Sequence, residues 1–200
     1  MLIIGISGQT GAGKSTFANM LSARGLGENL EVDAIGHELL HRLEVKNALV
    51  AAFGVEILDE SGQISRKDLG RRAFVNDATV KKLNAIMHPA MKLMVAGHVD
   101  SARRGGSKSI IVNAALLFSM HLDALCNRLI YVQADPENRL QRLVDYRNWS
   151  EESARERLFA QDALPATEGI ILVNNDGDET DLALVADRIA ASLLKGDTVA

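Results

Sequence analysis

Cysteine, aromatic residues and proline are all scarce in this sequence of 200 residues. The chain has one cysteine, three prolines and 4% aromatic residues. A single cysteine, Cys126, excludes a disulfide framework within the chain and suits a reducing compartment. Because Cys126 lies beside an apolar run, we expect a small buried side chain rather than a reactive thiol. The low aromatic content argues against a base-stacking surface for single-stranded nucleic acid.

Long hydrophobic runs and an excess of positive charge are also lacking. No stretch reaches the roughly 18–20 apolar residues that a membrane-spanning helix needs. The first residues, "MLIIGIS", lack the basic flank of a signal peptide, and Gly5 and Ser7 interrupt the apolar run. The net charge of −4 argues against general nucleic-acid binding. We therefore expect a cytoplasmic protein with a small-molecule partner and neither a nucleic-acid nor a membrane partner.

What the sequence does contain is a series of short apolar runs separated by helical patterns. Continuous rather than alternating apolarity indicates strands buried on both faces, as in a parallel sheet. Strands that alternate with helices predict a doubly wound α/β core. The predicted strands are residues 2–7, 30–32, 109–114, 128–134 and 169–174.

Two helical segments interrupt this alternation. Residues 36–106 contain no convincing strand, and the turn at Asp59–Gly62 separates helical patterns within them. Residues 135–161 read as a charged helical hairpin, with Ser150 as the cap of its second helix. We therefore predict a core made of residues 1–35, 107–134 and 162–200. The segment 36–106 is predicted to be a helical insertion that binds the acceptor, and 135–161 to be a lid.

The clearest motif is "GQTGAGKST", which follows the first apolar run. Its spacing is that of the phosphate-binding loop, G-x-x-x-x-G-K-[ST]. Glycines let backbone N–H groups converge on phosphate oxygens at the start of a helix. Lys14 would bind the β- and γ-phosphates, and the Ser15 hydroxyl would bind Mg²⁺. The nucleotide-binding residues predicted here are Gly11, Ala12, Gly13, Lys14, Ser15 and Thr16.

A phosphate-binding loop does not by itself define the reaction, because GTPases, ATPase motors and small-molecule kinases share it. The guanine-binding signature Asn-Lys-x-Asp of GTPases is absent from the sequence. Asp33 follows a predicted strand, and ligands of doubly wound sheets bind beyond the carboxyl ends of the strands. Its carboxylate could take a proton from an acceptor hydroxyl or hold a metal-bound water. The alternative, which does not exclude those roles, is that Asp33 caps a helix that starts near Ile35.

Three further features are candidates for contact with a substrate. Arg139 and Arg142 are three residues apart in the predicted lid and could share a helix face that closes over a phosphate, or they could belong to an ordinary solvated face. His88 precedes Pro89 and marks either a helix junction or an acceptor contact. Asn113 lies at the carboxyl end of the third predicted strand, where the small residues after it would let a substrate approach.

Taken together and in this order, several blocks resemble the dephospho-coenzyme A kinase family. They are "GQTGAGKST", "VDAIGHELL", "FGVEILDESGQISRKDLGRRAF", "LNAIMHP", "AALLFSMHLDAL", "IYVQADPENRLQRLVDYRNWSEESARERLFAQ" and "VNNDGD". The resemblance implies ATP- and Mg²⁺-dependent phosphorylation of the ribose 3′-hydroxyl of dephospho-coenzyme A. It also implies a P-loop, three-layer α/β/α fold, like that of nucleoside monophosphate kinases, with a five-stranded parallel sheet, a helical substrate domain and a helical lid.

The resemblance also implies roles for particular residues. Asp33 would be the general base, and Lys14 and Arg142 would stabilise the transferring phosphoryl group. The adenine of ATP would lie near the loop after the last strand. The acceptor would contact residues on the insertion and after the third strand. The protein itself is expected to be a monomer or a weak homo-oligomer. The residues expected at the adenine are Asn174 and Asn175, and those expected at the acceptor are Asp33, His88, Asn113 and Leu116.

The chain departs from the family pattern at three places. Where the family has Pro-Leu-Leu-Phe-Glu, this chain has alanine at 115 and Ser119 in place of the glutamate. The family's Arg-Asp-Gly after the lid is replaced by "RNW" at 147–149, and "QDALPATEGIILVNN" is shorter and less basic than usual. A kinase for another nucleotide, such as a deoxynucleoside monophosphate, and an ATP-binding regulatory module are therefore the alternatives.

Overall fold

A parallel sheet forms the centre of one of two compact units in the computed structural model. The structure describes residues 1–147, 149–159 and 168–196, apart from the side chains of Tyr146, Arg147, Arg157 and Phe159. The first unit comprises Met1–Glu31 and Val99–Ala200, and the second comprises Val32–His98. The helical insertion predicted from the sequence, residues 36–106, overlaps this second unit but has different ends.

The sheet has five strands in the order β2-β3-β1-β4-β5, and every neighbouring pair is parallel. Each predicted strand is present, with ends within two residues of the prediction, and the predicted α/β fold is confirmed. In β1, six consecutive residues are buried, as the continuous apolarity of the run predicts. The strands are β1 (Leu2–Gly8), β2 (Glu28–Glu31), β3 (Ser109–Asn113), β4 (Arg128–Gln133) and β5 (Ile170–Asn174).

Among the described residues, four α-helices belong to this first unit in full. They are α1 (Lys14–Ala23), α6 (Pro136–Arg147), α7 (Glu151–Phe159) and α8 (Glu179–Lys195). Helices α1 and α8 contribute Phe17, Leu21 and Ile189 to the same apolar core as the sheet residues Ile4 and Ile130. The packing of α1 on the sheet fixes its first turn, where the phosphate-binding loop ends. The predicted cap of the second helix in the 135–161 hairpin is present, since the Ser150 hydroxyl accepts from the Ser153 N–H at 3.2 Å.

The second unit is helical, and all of its residues are described. It contains α2 (Val32–Leu39), α3 (Leu43–Phe53), α4 (Arg66–Ala73) and most of α5 (Asp77–Arg104). No strand forms within it, and its one β-bridge joins Leu58 to Ile64. The predicted turn lies between these two residues, where the Asp59 carboxylate accepts from the Ser61 and Gln63 N–H groups.

The structure corrects the interpretation of His88-Pro89 as a helix junction. Helix α5 runs without interruption for 28 residues, and Pro89 lies inside it. An internal proline removes one backbone hydrogen bond and disfavours a helix. Here the exposed Pro89 is flanked by Met87 and Met91, which are buried together with Val95 one turn later. Burial of this apolar stripe holds the helix together through the proline.

The proposed cap at Asp33 is also corrected. The helix begins at Val32 rather than near Ile35, so Asp33 occupies its first turn instead of the capping position. A carboxylate in the first turn still interacts favourably with the positive end of the helix dipole. Val32 and Ile35 are buried whereas Asp33 is exposed, which explains why the helix starts earlier than the polar residue suggests.

Across the described part of the chain, no helix combines the length and apolarity needed to cross a membrane.

Candidate active site

The phosphate-binding loop connects the central strand β1 to α1. The Gln9 N–H donates to the Val132 carbonyl at 3.0 Å, which ties the start of the loop to β4. The Ala12 N–H then donates to the Gln9 carbonyl at 3.1 Å, closing a tight turn. Gly13 precedes α1, and no side chain caps the first N–H groups of that helix. These N–H groups and the helix dipole therefore form a site suited to an anion.

Two glycines make this path of the loop possible. Gly11 and Gly13 have φ angles of 79° and 86°, in the left-handed region that other residues rarely adopt. A Cβ atom on Gly11 would also lie 2.8 Å from the Arg139 carbonyl oxygen of α6. Both glycines thus serve the curvature of the loop, and Gly11 also allows its close contact with α6.

A cavity of about 500 Å³ opens beside this loop, within the range of nucleotide-sized ligand sites. Its walls come from the loop, from α6 and from the turn before α8. The lining residues are Gly11, Gly13, Thr16, Arg142, Leu143, Asn175, Gly177, Asp178, Glu179 and Leu182. A nucleotide that placed its phosphates on the loop would therefore meet a wall made of the segment after β5.

Lys14 belongs to a chain of polar contacts across three elements of the first unit. Its ammonium donates to the Asn113 side-chain oxygen at the end of β3. The Asn113 amide nitrogen in turn donates to the Glu31 carboxylate at the end of β2, at 3.3 Å. Asn113 is only 1% exposed, so its amide is held between a cation and an anion. This arrangement draws the Lys14 ammonium toward the carboxyl edge of the sheet.

Arg139 and Arg142 of α6 differ in their surroundings. Arg139 is buried and donates through Nε to the Ala134 carbonyl at 3.0 Å, and burial lowers the pKa of its guanidinium. Arg142 lines the cavity and makes one long contact of 3.4 Å with the Gly177 carbonyl. Its Nη1 atom is buried and has no hydrogen-bond partner among the described residues. A guanidinium group beside the cavity whose donors are not all occupied is suited to bind an anion there.

The remaining sequence-predicted nucleotide residues occupy different environments. Ser15 is half-buried and Thr16 is exposed in the first turn of α1. Asn174 is exposed and accepts from the Gln133 amide at 2.7 Å, and it does not line the cavity. Asn175 lines the cavity, and its amide donates to the Ala12 carbonyl at 2.8 Å. Of the two asparagines, the structure therefore brings only Asn175 to the phosphate-binding loop.

The sequence-predicted acceptor residues are divided between the two units. Asp33 and His88 belong to the second unit, in α2 and α5. His88 is half-buried, and burial together with the charge of Lys92 lowers the pKa of its imidazole. Leu116 belongs to the first unit, in the turns after β3, and is 47% exposed. An apolar side chain this exposed is available to a ligand.

Comparison with known proteins supplies what the geometry alone does not. Residues 2–179 match the family model described as "Dephospho-CoA kinase". A curated relative of that name from Corynebacterium efficiens is 33% identical over 197 residues, which cover 97% of this chain and 98% of the relative. The chain belongs to the dephospho-CoA kinase family. The predicted family is confirmed. The predicted activity, that of an ATP-using kinase that acts on dephospho-CoA in coenzyme A biosynthesis, is confirmed as well.

Solved structures agree with the fold of this kinase. The crystal structure of TT1252 from Thermus thermophilus matches it with a TM-score of 0.78 and 26% identity, covering 96% of this chain and 97% of that one. A dephospho-CoA kinase from Campylobacter jejuni matches with a TM-score of 0.67 and 19% identity, over 97% and 98% of the two chains. At that identity the second likeness supports the fold alone.

Two of the departures from the family pattern can be placed in the structure of the kinase. Ser119 donates its hydroxyl to the Leu116 carbonyl at 3.2 Å, so it closes the turn after β3. Trp149 packs against a small apolar cluster that includes Leu140, Leu143 and Ala154, and so joins α6 to α7. Asn148, the Arg147 side chain and residues 160–167 lie outside what the structure describes.

Sequence reasoning missed Glu31 and the wall of the cavity formed by Gly177, Asp178 and Glu179. The pattern Asp178-x-x-Asp181 does carry a local signal, because an acidic pair at this spacing can form a capping box at a helix start. That box is present in α8. Glu31 carries no comparable signal, since its contact with Asn113 joins residues 82 positions apart.

Proposed function

We propose that this kinase transfers the γ-phosphoryl group of ATP to the ribose 3′-hydroxyl of dephospho-CoA, giving CoA and ADP. The observation that carries the proposal is the cavity that joins the phosphate-binding loop to Arg142, in a chain that belongs to this family throughout nearly its whole length. Positioning and charge neutralisation supply most of the rate in phosphoryl transfer, because the transition state is loose.

The donor is proposed to bind with its phosphates on residues 11–16. Backbone N–H groups of the loop would contact phosphate oxygens, and Lys14 would turn from Asn113 to the β- and γ-phosphates. Arg142 would supply a second cation, since it lines the cavity and its Nη1 atom has no hydrogen-bond partner among the described residues. Two cations on the transferring group stabilise the charge that develops on its oxygens. The adenine ring of ATP would lie against the turn after β5, where Gly177 and Asp178 line the cavity.

Mg²⁺ is proposed to bind with the donor at the Ser15 hydroxyl. Among the described residues, no group of three or more His, Cys, Asp or Glu could hold a metal ion. Mg²⁺ often binds through one or two protein oxygens, with phosphates and waters completing its shell, and a single hydroxyl in the first turn of α1 fits that pattern. The ion would neutralise phosphate charge, while the chain itself positions the donor.

Asp33 is proposed as the general base for the acceptor. Asp33 is exposed, and its carboxylate has no hydrogen bond or ion pair with the described residues of its own unit. In the reaction, Asp33 would take the proton of the 3′-hydroxyl as that oxygen bonds to the γ-phosphorus and the bond to the β-phosphate oxygen breaks. His88, Asn113 and Leu116 are proposed to contact the acceptor.

An acceptor panel tests this function directly. ADP release is measured in a coupled assay with dephospho-CoA, deoxynucleoside monophosphates and no acceptor. We expect dephospho-CoA to stimulate ADP release far above the other conditions. Preference for a nucleoside monophosphate would replace the proposed acceptor, and slow hydrolysis without any acceptor stimulation would indicate a regulatory nucleotide-binding module.

The role of Asp33 has its own test within the same assay. Asp33→Asn keeps the size of the side chain and removes the basic oxygen, so kcat should fall far more than ATP affinity. Glu38→Gln, an exposed carboxylate in the same helix, serves as the control and should leave kcat unchanged. If Asp33→Asn turned over at the wild-type rate, a group other than Asp33 would accept the proton of the 3′-hydroxyl.

The proposal also includes a cytoplasmic location and a monomer or weak homo-oligomer. The single cysteine suits a reducing compartment, as in the cytoplasm. Light scattering at increasing protein concentration measures the mass in solution and decides the oligomeric state.

A further inference from the structure

Asn175 is one of the few buried polar residues of the described chain, with 7% of its surface exposed. Its backbone N–H donates to the Gln133 carbonyl at 2.8 Å, which continues the pairing of β4 with β5 by one residue. Its side-chain amide donates to the Ala12 carbonyl, also at 2.8 Å. The main chain of Asn175 is thus fixed by the sheet, and its side chain reaches from the sheet to the phosphate-binding loop.

This contact controls the direction of a peptide group in the loop. The Ala12 carbonyl and the Gly13 N–H belong to one planar trans peptide, so they point in opposite directions. Fixing the carbonyl on Asn175 therefore fixes the N–H of Gly13. The fit is tight, because a Cβ atom on Gly13 would lie 2.4 Å from the Asn175 amide nitrogen. The second glycine before Lys14 is thus needed for the contact with Asn175 as well as for its positive φ angle.

We infer that Asn175 is a positioning residue that sets nucleotide affinity through the phosphate-binding loop and not through the base. The inference rests on the proposed function, in which this loop binds the donor phosphates. Asn175 also lines the cavity, and the sequence-based expectation was a role near adenine. The two roles differ in what they predict. Substitution of a residue that contacts the adenine base changes the selectivity between bases. Substitution of a residue that positions the loop lowers the affinity for every phosphate ligand by a similar factor.

The experiment compares Asn175→Ala with wild type in the full chain. Isothermal titration calorimetry measures the dissociation constants of ADP, GDP and pyrophosphate, and a nuclear magnetic resonance titration measures that of adenosine. Loss of one buried hydrogen bond to the loop should weaken ADP, GDP and pyrophosphate by similar factors, about tenfold. Adenosine, which has no phosphate, should bind Asn175→Ala as it binds wild type.

Asn19→Ala is the matched control. Asn19 is the same amino acid in the same unit, but it is exposed in α1 and its side chain bonds to Asn29 instead of the loop. All four ligands should bind this variant as they bind wild type. Asn175→Ser is the second variant if alanine at this position prevents folding. Its shorter hydroxyl does not span the distance to Ala12, and the same pattern of losses is expected.

Three results would overturn the inference. Equal losses of affinity for adenosine and ADP would mean that Asn175 contacts the adenine base. A loss of affinity for ADP that is not seen for GDP would mean the same. Unchanged binding of all four ligands would mean that the loop keeps its shape without this contact. A general structural defect is recognised separately, because it would also lower the binding stoichiometry and the affinity for dephospho-CoA. Acceptor turnover by wild type is measured apart from these titrations, so a wrong acceptor would not be mistaken for a wrong role of Asn175.

Discussion

At the scale of single residues, the Lys14 ammonium is the charge on which donor binding most depends. It lies in the first turn of α1 and is held by the Asn113 side chain, whose other end is bonded to Glu31. Asn113 lies at the end of a fully buried strand, so this partner is in place before any nucleotide binds. Transfer of Lys14 from a neutral amide to a phosphate would replace a hydrogen bond to a neutral acceptor with one between opposite charges.

Lys14→Ala should lower kcat/KM for ATP by roughly 10²–10³-fold, because the developing phosphoryl charge loses one of its donors. Steady-state kinetics with dephospho-CoA as acceptor measure this loss. Lys195→Ala, at the exposed end of α8, is the control for removal of a positive charge and should keep wild-type rates. Turnover of Lys14→Ala within a few-fold of wild type would contradict the role of the loop lysine.

Cys126 provides a prediction of pH dependence at the same scale. Cys126 is half-buried, and this burial, aided by the negative charge of Asp123, raises the pKa of its thiol to about 12 from an ordinary value of 9.0. The unfolded chain therefore releases this proton at a lower pH than the folded chain does. Between those two values the folded state binds more protons, so the free energy of unfolding decreases as pH rises. Below pH 9 this contribution is constant.

The measurement is urea unfolding of wild type and Cys126→Ala at pH 7.5 and pH 10.5. Lysines and tyrosines titrate in both proteins, so the difference between the two isolates the thiol. Wild type should lose more stability than Cys126→Ala on going to the higher pH. Equal losses would show that the thiol is not shielded as the structure indicates. Slow alkylation of the folded protein at pH 8, with rapid alkylation in urea, is expected for the same reason.

At the scale of elements, the sequence predicted what depends on local pattern. The five apolar runs became the five strands, and the glycine spacing placed the phosphate-binding loop between β1 and α1. The continuity of helix α5 is harder to predict from the sequence, because Pro89 is a local signal for a helix break and the packing of Met87 and Met91 overrides that signal. The contacts that organise the site were beyond sequence reasoning, since Lys14 and Asn113 are 99 residues apart and meet through the order of the strands.

The start of α8 carries a prediction at this scale. The Asp178 carboxylate accepts from the Thr180 and Asp181 N–H groups at 2.8 and 3.0 Å, and Asp181 completes the capping box. Asp178→Ala should lower the free energy of unfolding by about 1 kcal/mol, as measured by urea denaturation. Glu179→Ala removes an acidic residue from the same turn without removing the cap, and should cost less. Equal effects of the two variants would mean that charge near the helix dipole, and not the cap, stabilises α8.

At the scale of the whole molecule, the chain divides into a unit built on the sheet and a helical unit. The phosphate-binding loop, Arg142 and the cavity all belong to the first, whereas Asp33 and His88 belong to the second. The fold therefore keeps the donor residues on one body and places the proposed base on another. A kinase that works in this way must bind donor and acceptor at the same time, without competition between them.

Simultaneous binding can be measured as linked stability. A ligand that binds only the folded state at 100 times its dissociation constant adds about 2.7 kcal/mol to stability. For a chain of this size that raises Tm by roughly 5–10 °C. ADP and dephospho-CoA, each at such a concentration, should both raise Tm in differential scanning calorimetry, and together they should raise it further than either alone. Lys14→Ala should lose most of the shift with ADP and keep the shift with dephospho-CoA. If saturating ADP abolished the effect of dephospho-CoA, the acceptor would be occupying the nucleotide cavity of the first unit, and the assignment of Asp33 to the acceptor would fail with it.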